Sequence, residues 1–444
     1  MDIQQLYELY RRQGAITTDS RTCPAGSIFV ALKGARFDGN QFASAALSAG
    51  CAYAVVDDAR HIPHGDGRYI LVDSGLRAYQ QIARLHRREF SIPIIAITGT
   101  NGKTTTKELV AAVLSMERRV LSTEANYNND IGVAQTLLRL DANHEIGVVE
   151  MGASHPGDIR TLAEMAEPTC GLITNVGKAH LAGFGSFEGV VRAKGELFDY
   201  LRRGEGAVAF VDAGNALLMT MAHDLELATY SAATEAEAQV EGKVEAMTPF
   251  LSFAWWRRGA EDEARHVTTR LVGGYNLCNM LAAVRVGLHF GINPDNIDYA
   301  LAHYEPGNDR SQYTATGRNR LIVDAYNANP TSMAAAISNF AAMKGDHKMA
   351  IIGQMNELGD ASPEEHRRII SLLHKSGIEE VWLVGEMFAQ ALAGNEAETN
   401  GTSWRLFHDV EQVKQAIAQE CPQGRYVLIK GSNSVKLAQL SHIL

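Results

Sequence analysis

No apolar run in this chain approaches the ~18 residues that a membrane-spanning helix needs. Cysteine is sparse. The five (Cys23, Cys51, Cys170, Cys278 and Cys421) are far apart, odd in number and free of any CxxC pair. That argues against a disulfide framework and against a structural zinc site. Positive charge is also short. Forty-one Lys and Arg face 51 Asp and Glu, a net charge of −10, so there is no global field for nucleic acid or an anionic membrane. The opening segment, MDIQQLYELYRRQG, is amphipathic and lacks the apolar core of a secretory leader. A cytoplasmic protein acting on small molecules is the expectation, with neither nucleic acid nor membrane as partner. Sequence is silent on oligomeric state, and a monomer is the working expectation.

Hydrophobic residues are plentiful at 46%, and the 40 glycines suit an α/β fold with many tight strand–helix turns. Three segments follow along the chain. In the first, 1–88, short apolar strands are predicted at 27–32, 52–56 and 69–72. Lys33-Gly34 reads as a turn, 42–48 as a helix, and 76–90 as a basic amphipathic helix leading out. In the second, 89–308, strands at 94–98, 146–150, 171–175 and 207–211 alternate with helices, which implies a parallel sheet covered on both faces. The polar, Trp-containing stretch 230–270 reads as an antiparallel insert, and a helix follows at 276–289. In the third, 309–444, four strands at 320–324, 349–353, 381–385 and 426–430 with helical crossovers imply a doubly wound, Rossmann-like sheet.

The strongest local signal is an apolar strand, then GTNGKTTT at 99–106, then a helical pattern. Gly99 and Gly102 let the backbone turn tightly and expose its N–H groups, which with the helix N-terminus behind them form an anion cradle. Lys103 then reaches phosphates, and the Thr104 hydroxyl suits Mg²⁺. The loop is shorter than the full GxxxxGK[ST] pattern, which requires glycine where Ile97 stands. Glu150 ends an apolar strand, where a carboxylate meets the ligand edge of a parallel sheet and can hold Mg²⁺. His180 leaves the next strand on the same edge and is a candidate for a second Mg²⁺. Lys194, inside a helical run, reads on its own as a solvated helix-face lysine.

GTNGKTT, EMGASHPGDI (150–159), TNVGKAHL (174–181) and AKGELF (193–198), in this order, resemble the Mur ligases of bacterial cell-wall synthesis. ANYNNDIG (125–132), DAYNANPTSM (324–333), IKGSNS (429–434) and the N-terminal stretch 19–50 extend the resemblance over nearly the whole chain. It implies an α/β protein of three domains: a small UDP-sugar-binding domain, a central P-loop ATPase domain and a C-terminal Rossmann-like domain. It further implies a ligase that uses ATP and Mg²⁺ to join D-alanyl-D-alanine to a UDP-N-acetylmuramoyl tripeptide.

The resemblance also implies roles. Lys103, His180, Lys194 and Arg310 would be catalytic. Gly99, Thr100, Asn101, Gly102, Thr104, Thr105, Asn276, Asn279, Asp324 and Asn327 would surround ATP with Lys103 and Arg310, and Tyr326 would lie near the nucleotide. Thr104, Glu150, His180 and Lys194 would hold metal, Lys194 as a CO₂-derived carbamate. Ser20, Arg21, Lys33 and Gly34 would take the uridine diphosphate, and Asn126, Asn128 and Asn129 the muramoyl peptide. Two departures stand out: Ala134-Gln135 where proline usually follows IGV, and Gln354 where the usual GDM has Asp. Two alternatives stay open, a sister ligase that adds the third peptide residue and a nucleotide-binding homologue without catalysis.

Overall fold

The computed structural model describes every residue except 35–36, 233–235, 308–309 and 393–401. The expected division between the second and third segments, at 308/309, lies outside the described residues. Three sheets of four, nine and six strands follow one another along the chain, with a two-stranded hairpin beside the first. None of the described helices is long and apolar enough to cross a membrane.

The first sheet is all parallel, in the order Ile16–Thr17, Ile28–Val30, Tyr53–Val56, Tyr69–Leu71. Lys33-Gly34 is not a plain turn. It pairs antiparallel with Phe37–Asp38 as a two-stranded ladder. The first helix, Ile3–Gln13, and the exit helix, Gly75–Arg88, start at Asp2 and Ser74, whose side chains accept N–H groups of the first turn. Their apolar faces share one continuous core with the next domain. Leu6, Tyr10 and Ile82 sit in the same buried cluster as Leu137, Leu162 and Phe198.

In the central sheet Ile94–Thr98 lies between Cys170–Ile173 and Ile146–Glu150, all parallel. The chain leaves Ile94–Thr98 for the edge strand Val120–Ser122, returns to Ile146–Glu150, then crosses to the other side. Ile94–Thr98 is therefore the switch point, where the loops after neighbouring strands part and leave a crevice. Its five residues are all buried, as its β-branched run predicts. The stretch 230–270 does contain antiparallel strands, Val240–Met247, Leu251–Arg257 and Arg265–Thr268, as expected. They extend the central sheet through Glu226–Ser231 and do not stand apart from it.

The C-terminal sheet has six strands where four were predicted. Arg320–Asp324, Tyr426–Lys430, Lys348–Gly353 and Glu380–Val384 form its parallel centre. The additions are both edges, antiparallel Gln312–Ala315 and parallel Ser403–Phe407. Both edges are largely half-exposed, so they lack the fully buried apolar run by which the inner four were recognised.

Candidate functional site

A cleft of about 810 Å³ opens at the C-terminal ends of the central strands and is closed on its far side by the C-terminal domain. That volume is in the range of small-molecule sites. Its floor is the loop after Ile94–Thr98. Gly99 and Gly102 both have positive φ, +140° and +78°. A β-carbon on Gly99 would stand 2.0 Å from Thr174 Oγ1, and one on Gly102 would stand 2.8 Å from Asn279 Oδ1. Only glycine fits both positions. Around them the loop is tied to the neighbouring strand. Asn101 N–H donates to Asn175 Oδ1 at 3.0 Å, Thr174 Oγ1 donates to Asn101 O at 2.6 Å, and Gly177 N–H donates to Thr100 Oγ1 at 2.9 Å.

Lys103 opens the helix Lys103–Ser115 and folds back so that Nζ donates to Gly99 O at 2.9 Å and Thr100 O at 3.1 Å. Burial pushes its pKa down, Glu150 opposes this, and Arg310 adds to it. Thr104 Oγ1 donates to Glu150 Oε1 at 3.1 Å, and Asn128 Nδ2 donates to the same oxygen at 2.8 Å. Glu150 Oε2 is buried with no partner. A buried carboxylate oxygen without a donor is costly unless something positive meets it. Beside a threonine hydroxyl and below a phosphate-type loop, this orphan fits a Mg²⁺ ligand set of hard oxygens.

Asn276 and Asn279 line the cleft and also brace the loop. Asn279 Oδ1 accepts from Thr106 Oγ1 at 3.1 Å, Asn279 Nδ2 donates to Asn276 Oδ1 at 2.9 Å, and Asn276 Nδ2 donates to Val272 O at 2.9 Å. His180 reaches the cleft from a left-handed backbone position, φ +50°. Its Nδ1 meets Glu357 Oε2 of the C-terminal domain at 2.5 Å. Burial lowers its pKa, Glu357 raises it, and Lys103 and Lys194 lower it further.

Lys194 overturns the solvated-face expectation. It is 2% exposed, packed in the helix Phe187–Leu201, with Nζ 5.7 Å from the centre of the Phe184 ring. Burial first, and Lys103 second, bring its pKa down to about 7. It does not itself line the cleft. His180 flanks the same Phe184 ring, with centroids 6.4 Å apart, so the two side chains approach one apolar spacer.

From the C-terminal side come Arg310, Asp324, Tyr326, Asn327 and Lys430. The Arg310 guanidinium lies 3.8 Å from the centre of the Tyr326 ring, and its Nε is buried without a partner. Asp324 and Lys430 are paired neighbours at the ends of adjacent strands. Lys430, 1% exposed, donates to Asp324 Oδ2 at 2.6 Å. Lys430 escaped the sequence reading although it stands in IKGSNS. Ser154, His155 and Asp158, inside EMGASHPGDI, and Thr331, inside DAYNANPTSM, also line the cleft and were not singled out.

Asn128 and Asn129 line the cleft as well, while the remaining expected residues lie elsewhere. In the asparagine-rich loop Asn128 holds Glu150, and Asn129 Oδ1 caps the helix Asp130–Leu137 by accepting Gly132 N–H at 2.8 Å. Asn126 is exposed and is not among the cleft-lining residues. Ser20, Arg21, Lys33 and Gly34 also lie outside this cleft, on the N-terminal domain. There Arg21 folds onto Asp19, and Lys33 Nζ meets Asp57 Oδ1 at 2.8 Å. Gln354 is a structural residue, its Oε1 accepting Met387 N–H at 3.2 Å.

The Mur ligase catalytic-domain, middle-domain and glutamate-ligase-domain family models match residues 14–89, 97–287 and 309–433. This chain belongs to the Mur ligase family. Curated relatives named UDP-N-acetylmuramoyl-tripeptide--D-alanyl-D-alanine ligase include that of Synechocystis, 36% identical over 97% of this chain and 91% of the relative. The Escherichia coli K12 protein of that name is 32% identical over 97% and 93%. The Bacillus subtilis one is 31% identical over 96% and 92%. Among solved structures, a MurF from Acinetobacter baumannii superposes with a TM-score of 0.86 at 28% identity, covering 98% of this chain and 97% of that one. The MurF ligase of Thermotoga maritima in complex with ADP gives 0.84 at 25% identity, covering 97% and 96%. The three-domain α/β architecture of this Mur ligase is therefore that of its solved relatives.

Proposed function

We propose that this Mur ligase joins D-alanyl-D-alanine to a UDP-N-acetylmuramoyl tripeptide at the expense of ATP, as its curated relatives are named for doing. The observation that carries the reading is the buried Thr104–Glu150 pair with its orphan oxygen. It sits beneath the Gly99–Lys103 loop and faces Arg310 and Asp324 across one cleft. On this reading segment 1–88 binds the nucleotide-sugar, 89–308 binds ATP, and 309–444 closes the site.

A carboxylate is a poor electrophile. Its attack on the γ-phosphorus of ATP forms an acyl phosphate and releases ADP. The dipeptide amine then attacks the carbonyl carbon, and phosphate leaves as the amide forms. Both steps need positioning and charge neutralisation more than covalent help from the protein. Lys103 and Arg310 supply fixed positive charge in an otherwise acidic chain. Thr104 and Glu150 would hold a first Mg²⁺, and His180 with Lys194 a second, whose bound charge would neutralise the transferring phosphoryl group. Burial lowers the Lys194 pKa to about 7, which favours the neutral amine whose free electron pair capture of CO₂ requires. The carbamate so formed is an anion, suited to metal where the ammonium is not. Asn128 orients Glu150, Lys430 orients Asp324 toward the nucleotide ribose, and closure of the C-terminal domain keeps water from the acyl phosphate.

The test is phosphate release from ATP with the UDP-muramoyl tripeptide plus D-alanyl-D-alanine, and with the tripeptide or the UDP-muramoyl dipeptide plus single amino acids. Release with D-alanyl-D-alanine alone is expected. Release with a single amino acid on a shorter acceptor identifies the sister activity, and no release with any acceptor identifies a non-catalytic homologue. Lys103→Ala is expected to lower turnover by about 10³-fold or more, as loss of a phosphate-neutralising cation does elsewhere. Near wild-type turnover in that variant rejects the loop's assigned role.

A further inference from the structure

We propose that Glu357 is a positioning residue for the ligase reaction. Reaching from the C-terminal domain, it fixes the His180 imidazole, so that this corner of the site is complete only when that domain docks. The inference rests on the ligase reading above.

Three observations carry it. First, Glu357 Oε2 stands 2.5 Å from His180 Nδ1, while no described residue takes Nε2. A carboxylate on one ring nitrogen sets the tautomer and the ring plane, and presents the other nitrogen to a ligand. Second, the loop carrying Glu357 is braced. Asn356 N–H donates to Ser432 Oγ at 3.1 Å, and Asn356 Nδ2 donates to Ser434 Oγ at 2.6 Å. Glu357 itself holds a left-handed backbone, φ +64°, a strained setting for a non-glycine residue that such bracing must maintain. The serines of IKGSNS thereby aim the loop that carries Glu357. Third, Glu357 is 61% exposed, where an ion pair adds little to stability. The arrangement therefore serves geometry more than folding.

The contacts between the central and C-terminal domains are mostly of this polar kind. Lys178 Nζ meets Glu365 Oε1 at 3.1 Å, and Asn329 Nδ2 donates to Asn101 Oδ1 at 2.6 Å. Such a surface can part and re-form. The His180–Glu357 pair would part with it, which ties competence of the site to closure.

The full-length protein carrying Glu357→Ala tests this. Its kcat is expected to fall about 10–100-fold with the KM for ATP changed less than about twofold, the size of effect typical of a group that orients a metal-binding histidine. Mn²⁺ affinity is measured separately by electron paramagnetic resonance, with a non-hydrolysable ATP analogue present, and is expected to weaken by a similar factor. Glu357→Gln, which keeps an acceptor oxygen, should fall between wild type and Glu357→Ala. Asn339→Ala removes a domain contact in which His180 takes no part, the bond from Gly274 N–H at 3.2 Å, and should leave both readouts near wild type. Unchanged kcat and Mn²⁺ affinity in Glu357→Ala overturns the proposal. So does an equal loss in Asn339→Ala, which would mean general docking. If wild type itself fails to use the dipeptide, the ligase reading falls, and the Mn²⁺ measurement still judges Glu357.

Discussion

Lys194 shows what a side chain's chemical identity conceals until its surroundings are known. On a helical wheel it is one more polar position. In the fold it is buried beside Phe184 and close to a second cation, Lys103, and both effects favour the uncharged amine. Lys194→Ala is expected to be inactive in phosphate release, with partial recovery when a short-chain carboxylic acid is added to stand in for the missing carbamate. Full activity of that variant without bicarbonate would remove the carbamate from the mechanism. Residue-scale legibility divides along this line. Lys103, Thr104 and Glu150 were readable because a strand, a glycine turn and a helix announce where their side chains point. Glu357 and Lys430 were not, because each acts on partners distant in sequence, and nothing local marks such a contact.

At the scale of elements, the phosphate loop is held open by geometry that sequence predicts and the fold explains. Gly102 has φ +78°, and its missing β-carbon leaves room for Asn279. Gly102→Ala should cost about 1–2 kcal/mol from the left-handed backbone alone. The push on Asn279 comes in addition, because that residue also holds Thr106. A lower urea midpoint and a raised KM for ATP are the expected pair of results; a changed KM with an unchanged midpoint would mean that the loop relaxes freely. A second element-scale case is the seam between the helix Gly75–Arg88 and the central domain. Glu167 accepts from Arg84 and Arg88 there, each at 2.9 Å. Burial raises the Glu167 pKa, but the two arginines outweigh it, so the folded value lies below the usual 4.5. The fold thus favours the ionised form. This contribution is complete above about pH 4.5 and is lost as pH falls through the lower, folded value. Glu167→Gln should therefore destabilise the protein by about 1–2 kcal/mol near pH 7 and flatten its acid-side loss of stability, measured by urea unfolding at several pH values. The strands themselves were legible wherever both faces are buried, as at Ile94–Thr98. They were missed at the edges Val120–Ser122, Gln312–Ala315 and Ser403–Phe407, and at the interior strand Glu226–Ser231, all of which are only partly buried.

Across the whole molecule the three sheets are unequally joined. The N-terminal and central sheets are covered by helices that share one apolar core. The C-terminal sheet has cores of its own, to which the central domain adds little beyond Val272 and the partly buried Phe250. The order of domains was legible from motifs, but this asymmetry was not, since it depends on which helix faces meet. It has a thermodynamic consequence. Units with separate cores and a polar seam unfold separately, whereas units with one core unfold together. Calorimetry of the ligand-free chain should resolve two transitions, one of them belonging to the C-terminal domain. A non-hydrolysable ATP analogue with Mg²⁺ at about 100 times its Kd stabilises what it binds by about 2.7 kcal/mol. On the proposed reading it touches the loop at Lys103 on one side and Arg310 and Asp324 on the other. Both transitions should then rise and draw together. Arg310→Ala, which withdraws the cation on the C-terminal side, should leave the ligand raising mainly the central transition and keep the two apart. If the wild-type analogue complex raises only one transition, the nucleotide is held by the central domain alone, and closure must be driven by the other substrates.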